Sequence, residues 1–256
     1  RAGREERLPL VAHLDELRRR IMVSLAALVV AFIALYIVRD WLIDVLARPL
    51  PAEYESKIAT FSPTEPFFTT IKVVFWASIL AALPVWLYQV YAFIVPAVSD
   101  QSRKVSLSVV GGLSGLFVGG VAFGYFVVLP VALRFLLGFG DDTFNVQLRA
   151  SDHFGFVTTM LLASGLLFEV PVAMLAFARL GLVTARIYRQ QWRVALVVIA
   201  VFAALLPGGD PVSMFLLMVP QVILYILGIW LASVFGGPPV WEKSTWSADE
   251  EPGATA

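Results

Sequence analysis

Apolar runs of helix length alternate with short polar segments along the whole chain. The runs cover 21–38, 73–95, 105–133, 154–178, 194–206 and 212–235, and only one residue within them, Glu169, is charged. A helix of roughly 20 residues spans the ~30 Å hydrocarbon core of a bilayer, so the pattern predicts six transmembrane helices. Ahead of the first run, Leu8, Leu10, Val11, Leu14 and Leu17 recur at helical spacing among charges. Residues 1–20 therefore read as an amphipathic helix lying on the membrane surface. Segment 39–72 is polar and Pro-rich, with Trp41 and Tyr54 as interfacial anchors and a short amphipathic helix over 41–47. Within it, Thr64 can cap a helix whose first turn tolerates Pro66. Residues 134–153 read as a polar loop, and 179–193 as a loop punctuated by four arginines. The fifth run is thirteen residues, about 20 Å as a helix, so spans five and six both read as short, a hairpin whose turn lies below the usual membrane face. The tail, 236–256, is Pro/Gly-rich and then acidic, and reads as a disordered cytoplasmic segment.

Composition sharpens this to an all-α, polytopic membrane protein. The 256 residues are 59% hydrophobic and 15% charged, against about a quarter charged in soluble domains. Net charge is zero, which gives no reason to expect a nucleic-acid partner, and the absence of cysteine removes disulfides and thiolate metal sites. The arginine-rich start runs into a full-length span without a cleavage pattern, so that span reads as a signal anchor. With six spans both termini share a side. Thirteen of the nineteen Lys and Arg fall on that side and six on the other, which predicts cytoplasmic termini.

The chemistry concentrates in few residues. Glu169 lies in the middle of the fourth run, where a carboxylate is costly unless protonated, paired or facing water. Two residues on, Pro171 frees the carbonyl of Leu167 from its helical bond. Glu169 can be a protonated packing residue or a functional one. No catalytic set is present: Ser164 has no intramembrane base, and His13 and His153 fall on opposite sides of the membrane without ligand-spaced companions. No metal or cofactor is expected. Gly111, Gly112, Gly115, Gly119, Gly120 and Gly124 allow close helix approach in the third span, within the fold or to a partner. Asp15, Glu16 and Asp100 lie among arginines at the membrane surface. They are either solvated counter-charges or a site for a cationic peptide that continues into an apolar helix.

A resemblance narrows these choices. His13-Leu14-Asp15-Glu16-Leu17-Arg18-Arg19-Arg20-Ile21 resembles the amino-terminal H-L-x-E-L-R-x-R-[LI] signature of the TatC family, the polytopic subunit of the twin-arginine translocase. Pro63-Thr64-Glu65-Pro66-Phe67 resembles its P-T-E-P-F segment, and Phe168-Glu169-x-Pro171 its fourth-span F-E-x-P. Asp210 resembles the acid of its last extracytoplasmic loop. The four motifs, in order, extend the similarity over residues 8–235.

The resemblance implies a concave, glove-like fold of six helices with both termini cytoplasmic, in the inner membrane of a prokaryote. It implies a receptor for twin-arginine signal peptides, working with TatA/TatB-like single-span proteins and further copies of itself. Folded cargo would cross on the proton-motive force, with no enzyme activity and no cofactor. Carried over by motif, Glu16 and Asp100 face the paired arginines, Arg18 and Arg103 order that surface, and Phe93 and Pro96 shape the loop. Glu169 becomes an accessible polar point in the concave face, and Pro49, Pro63 and Pro66 shape the extracytoplasmic cap. In one place the chain departs from the family. The first cytoplasmic loop usually reads P-[AG]-L-x-x-x-E-R, and Ser102 stands where the acid is expected. Asp100 substitutes, Glu16 acts alone, or signal recognition is impaired. A rival reading, a proton-coupled small-solute transporter carrying its proton on Glu169, needs a second polar group at similar depth, for which Gln89 and Gln221 are the candidates.

Overall fold

The computed structural model describes residues 7–55, 58–94, 103–139, 147–205 and 210–237, and among these nearly all regular structure is helix. The chain divides into two compact units at Leu162–Ala163, inside the fourth span.

In the first unit, α1 runs unbroken over Arg7–Ile37. The expected surface helix over 1–20 is thus no separate element: it continues into the first span, because no Gly or Pro interrupts residues 10–37 and Pro9 falls in the tolerant first turn. Leu25, Val29, Val30 and Ile33 stay exposed, as lipid-facing positions do. Helix α2 (Arg39–Ala47) follows, then a single turn, α3 (Ala52–Glu55), and β1 (Ile58–Ala59). Helix α4 (Glu65–Ile94) starts two turns ahead of the expected span and continues through Pro84. It packs along α1, where the Trp86 indole donates to the carbonyl of Ser24 at 2.9 Å.

The third span is α5 (Arg103–Phe123), a π-helical turn over Gly124–Val128, and α6 (Leu129–Gly138). Pro130 has no N–H for the carbonyl of Phe126 and its ring crowds that oxygen, so the helix widens just before it. The expected loop 134–153 is shorter than read, since α6 reaches Gly138 and β2 (Leu148–Arg149) leads into α7 (Ala150–Phe168) at its far end. β1 and β2 pair in parallel, Ile58 with Leu148 and Ala59 with Arg149. Beneath them Leu50, Tyr54, Leu133 and Leu137 form a buried cluster. Tyr54 is therefore no interfacial anchor: it is buried, and its hydroxyl donates to the carbonyl of Leu137 at 3.1 Å.

In the second unit the end of α7 is followed by α8 (Val170–Arg179), the short α9 (Ala185–Gln190), α10 (Trp192–Leu205) and α11 (Pro211–Phe235). Helix α8 ends in a Schellman motif, with Gly181 at φ 71° and Leu182 N–H donating to the carbonyl of Phe177. Helix α8 packs on α11, and α10 and α11 form a hairpin. At 14 residues α10 is about 21 Å long, short of a full crossing as the sequence implied. The sixth span is not short: α11 has 25 residues and carries Pro220 without a break. Among the described residues five helical spans are thus long and apolar enough to cross a membrane, with α5–α6 and α7–α8 each counted as one, and α10 is a shorter apolar helix.

Candidate functional site

The amino-terminal acid and the first long hairpin meet at Arg20. Its guanidinium donates to the Glu16 carboxylate one turn earlier. It also donates across to α4, to the carbonyl of Ala92 at 2.8 Å and to the Gln89 carbonyl and side-chain oxygen, both at 3.4 Å. The geometry has a simple cause. Carbonyls in the last turn of a helix lack intrahelical partners and carry partial negative charge, so a cation packed there is favoured. Helix α4 ends two residues beyond Ala92, at Ile94. Arg20 therefore lies at the carboxyl-terminal end of α4. Glu16 keeps 43% of its side chain exposed and Arg20 18%. Their pair, spaced four apart on a helix surface, stabilises α1 by only about 0.3–0.5 kcal/mol. Asp15 and Arg18 are exposed. Phe93 and Arg103 are placed by backbone alone at the end of α4 and the start of α5, and His13 likewise on α1. Pro96, Asp100 and Ser102 lie outside the described residues.

A second polar knot ties the opposite ends of these helices. Glu65, the first residue of α4, is buried and accepts from Phe61 N–H at 2.8 Å, Arg149 Nε at 2.9 Å and Ser151 N–H at 3.3 Å. The hydrogen bond from Arg149 raises the guanidinium pKa above its ordinary value. One carboxylate thus joins the 58–64 segment to the start of α7, next to the β1–β2 pair. Pro63, Pro66 and Phe67 around it are exposed, and Pro49 is half-buried where α2 ends. In the same region Tyr125, from the π-turn, donates to the carbonyl of Val45 at 2.7 Å.

Glu169 occupies the break between α7 and α8. Its N–H bonds the carbonyl of Leu166, three residues back, and its own carbonyl accepts from Val172 and Ala173. Pro171 falls at the start of α8, so the predicted disruption of the fourth span is a one-residue break at Glu169, whose backbone stays helical (φ −78°, ψ −10°), and the span as a whole continues over Ala150–Arg179. Glu169 itself is only 8% exposed. The expectation of an accessible side chain is therefore overturned: the break turns the carboxyl inward. Asp210 is buried as well, and its carboxylate accepts from Ser213 N–H at 2.8 Å as the cap of α11.

Sequence reasoning missed Arg20 and Arg149 as partners and singled out Gln89 only for the rival transporter reading. Arg20 was visible as the third arginine of its run, but nothing local distinguishes it from Arg18. Two of the three partners of Glu65 lie more than eighty residues away.

Fold and site together define an all-helical, multi-pass membrane protein, with no metal-ligand cluster among the described residues. The profile of one family, Sec-independent protein translocase protein (TatC), matches residues 12–220. The chain is 35% identical over 236 residues to the TatC protein of Campylobacter jejuni, covering 91% of this chain and 96% of that one. It is 32% identical over 228 residues to TatCd of Bacillus subtilis, covering 88% and 91%. It is 31% identical over 233 residues to the chloroplastic TATC of Pisum sativum, covering 91% and 66%. A crystal structure of the twin arginine translocase receptor TatC superposes with a TM-score of 0.75 at 30% identity, covering 86% of this chain and 97% of that one. A second, in DDM, gives 0.77 at 30% identity, with coverage of 87% and 100%. The chain belongs to the TatC family.

Proposed function

We propose that this chain is the signal-peptide receptor of a twin-arginine translocase, and that Glu16 is the group that meets the paired arginines. The observation that supports it is the Arg20 bridge, which fixes Glu16 beside the root of the 95–102 loop. There an arginine of this chain already occupies a carboxylate at the level where the apolar part of α1 begins. A peptide guanidinium followed by an apolar segment presents the same chemistry and can take over or share that carboxylate. Asp100, Ser102, Arg103, Phe93 and Pro96 form the loop side of the site, and Arg18 adds to its charge order. The chain works with single-span partners of the TatA/TatB kind, and Pro49, Pro63 and Pro66 shape the extracytoplasmic cap. The protein sits in the cytoplasmic membrane of a prokaryote with both termini inside, assembles with further copies, and moves folded cargo on the proton-motive force.

The transporter reading is weakened at its own requirement. Gln89, one of its two candidate partners for Glu169, is held by Arg20 near the end of α4.

The experiment is a titration of a labelled twin-arginine peptide against the full chain in lipid nanodiscs. Glu16→Ala weakens binding by about tenfold to hundredfold, the worth of one charge-assisted contact. Ser102→Glu strengthens it by restoring the family's acid, and rising salt erodes both effects. Unchanged affinity in both variants removes this patch as the receptor site.

A further inference from the structure

The described cations of the second unit outnumber its acids. Arg179, Arg186, Arg189 and Arg193 stand at the ends of α8, α9 and α10, while its two described carboxylates, Glu169 and Asp210, are buried. Arg179 donates to the carbonyl of Phe235, and the Arg193 guanidinium lies over the Trp192 ring at 5.7 Å. Arg186 and Arg189 are exposed, and no ion pair among the described residues includes them.

These two arginines rim a cavity of about 340 Å³. Its floor is Ala178 of α8 and Ala232 of α11, both buried, with Ser233 and the Gly236–Gly237 backbone closing one side. The small side chains leave the space open. Several bonds hold its walls. Gly237 N–H donates to the carbonyl of Ala178 at 3.1 Å. The Tyr225 hydroxyl donates to the carbonyl of Tyr188 at 2.7 Å, and the Tyr188 hydroxyl to that of Met174 at 3.3 Å. Helix α9 is thereby strapped to both neighbours, and its arginines are carried on a fixed support.

The surroundings place this cavity at a membrane surface. It opens where α8 and α11, both apolar, come to their ends. Trp192, three residues past Arg189, and Trp230, two before Ala232, are exposed, as aromatic residues of the interfacial belt are, and Phe177 and Val234, neighbours in sequence of Ala178 and Ser233, are exposed apolar residues too. A ligand seated here touches two cations with one part and lipid-facing apolar helix with the other.

The geometry points to a binding site for an anionic phospholipid, its phosphodiester between Arg186 and Arg189 and its acyl chains along the outer faces of α8 and α11. Phosphate accepts several charge-assisted hydrogen bonds from guanidinium groups, and basic pockets between transmembrane helices suit such headgroups. The apolar floor and flanking tryptophans favour a lipid over free phosphate, which has nothing to place there. The site does not depend on signal-peptide recognition.

Native mass spectrometry of the full chain in detergent tests it, with phosphatidylglycerol, phosphatidylcholine and inorganic phosphate each added at matched concentration. Phosphatidylglycerol is retained, phosphatidylcholine is not, and phosphate does not displace the lipid. Arg186→Gln with Arg189→Gln lowers retention by about thirtyfold, as loss of two surface cations requires. Ser233→Phe keeps both charges but fills the cavity, and it lowers retention as well. Helix content by circular dichroism and recovery of binding in Arg186→Lys with Arg189→Lys exclude misfolding. Equal retention of the two lipids, displacement by phosphate, or full retention in Ser233→Phe overturns the proposal. So does a rise in phosphatidylglycerol retention when residues 238–256, with their four carboxylates, are removed, because the acidic tail would then be the occupant.

Discussion

Glu65 and Glu16 are both carboxylates bound to arginine, and their surroundings give them different work. Glu65 is buried, and three donors, one from the preceding turn and two from the distant 149–151 segment, converge on it, so removing it takes the shared acceptor from all three at once. Glu65→Ala is expected to lower the thermal midpoint in detergent by several degrees. Arg149→Ala, on an exposed side chain, lowers it less, and the double variant falls short of the sum because both act on one knot. Additive losses would show that the two residues are uncoupled. Glu16 is half-exposed and paired within its own helix, so its loss leaves the fold intact while changing what the surface binds. The sequence showed Glu65 only as part of a P-T-E-P-F segment. Its role as a hub was not legible, since no local spacing links residue 65 to residues 149 and 151. Glu16 was legible because its partner and its motif are both local.

Among the elements, the fourth span is the one whose sequence signal was clearest and whose outcome differed most. Pro171 predicted a disturbed helix, and α7 and α8 are separate helices with Glu169 between them. What the pattern could not say is which way the break turns the carboxyl, because that depends on packing beyond the span. If buried Glu169 is needed in its protonated shape, Glu169→Gln retains co-purification of single-span partners and Glu169→Ala loses it. Wild-type behaviour in both would leave a packing role only. Helix α8 lies close to α11 at Gly228, where an added Cβ would stand 3.2 Å from the Cα of Pro171 and collide with the Met174 sulfur. Gly228→Val is therefore expected to destabilise by about 1–3 kcal/mol. Gly115→Ala, with nothing within 4 Å, leaves the melting curve unchanged or raises it. A harmless Gly228→Val in thermal unfolding would refute the close approach. The glycine-rich pattern of the third span suggested tight packing there. Within the described chain Gly111, Gly112, Gly115 and Gly119 meet no neighbour, whereas Gly228, alone inside α11, is crowded. Spacing alone does not tell a packed glycine from an open one. The π-turn before Pro130 and the two-residue β1–β2 pair went unread for the same reason: each answers to a partner elsewhere in the chain.

At the scale of the molecule, hydropathy and charge located all six membrane helices, since helix length against bilayer thickness is a property of sequence alone. Several helices run past the expected bounds, as α1 and α4 do at their starts and α6 at its end, and the sixth span is longer than the short hairpin arm expected. The count of Lys and Arg predicts cytoplasmic termini, and the absence of cysteine makes that sidedness directly measurable. Gly3→Cys and Gly253→Cys are expected to react with an impermeant maleimide from the same face, and Glu53→Cys from the other. Termini that label from opposite faces would contradict the six-span topology. The central claim, that Glu16 reads the paired arginines of a signal peptide, has a sharper test than affinity alone. It is a double-mutant cycle in lipid nanodiscs, crossing Glu16 and Glu16→Gln with a twin-arginine peptide and its twin-lysine counterpart. A planar guanidinium can donate two parallel bonds to a carboxylate, whereas an ammonium meets it as a point charge. The chain should therefore prefer arginine to lysine with Glu16 present, and the preference should collapse in Glu16→Gln. An arginine preference that survives the substitution unchanged would contradict the assignment.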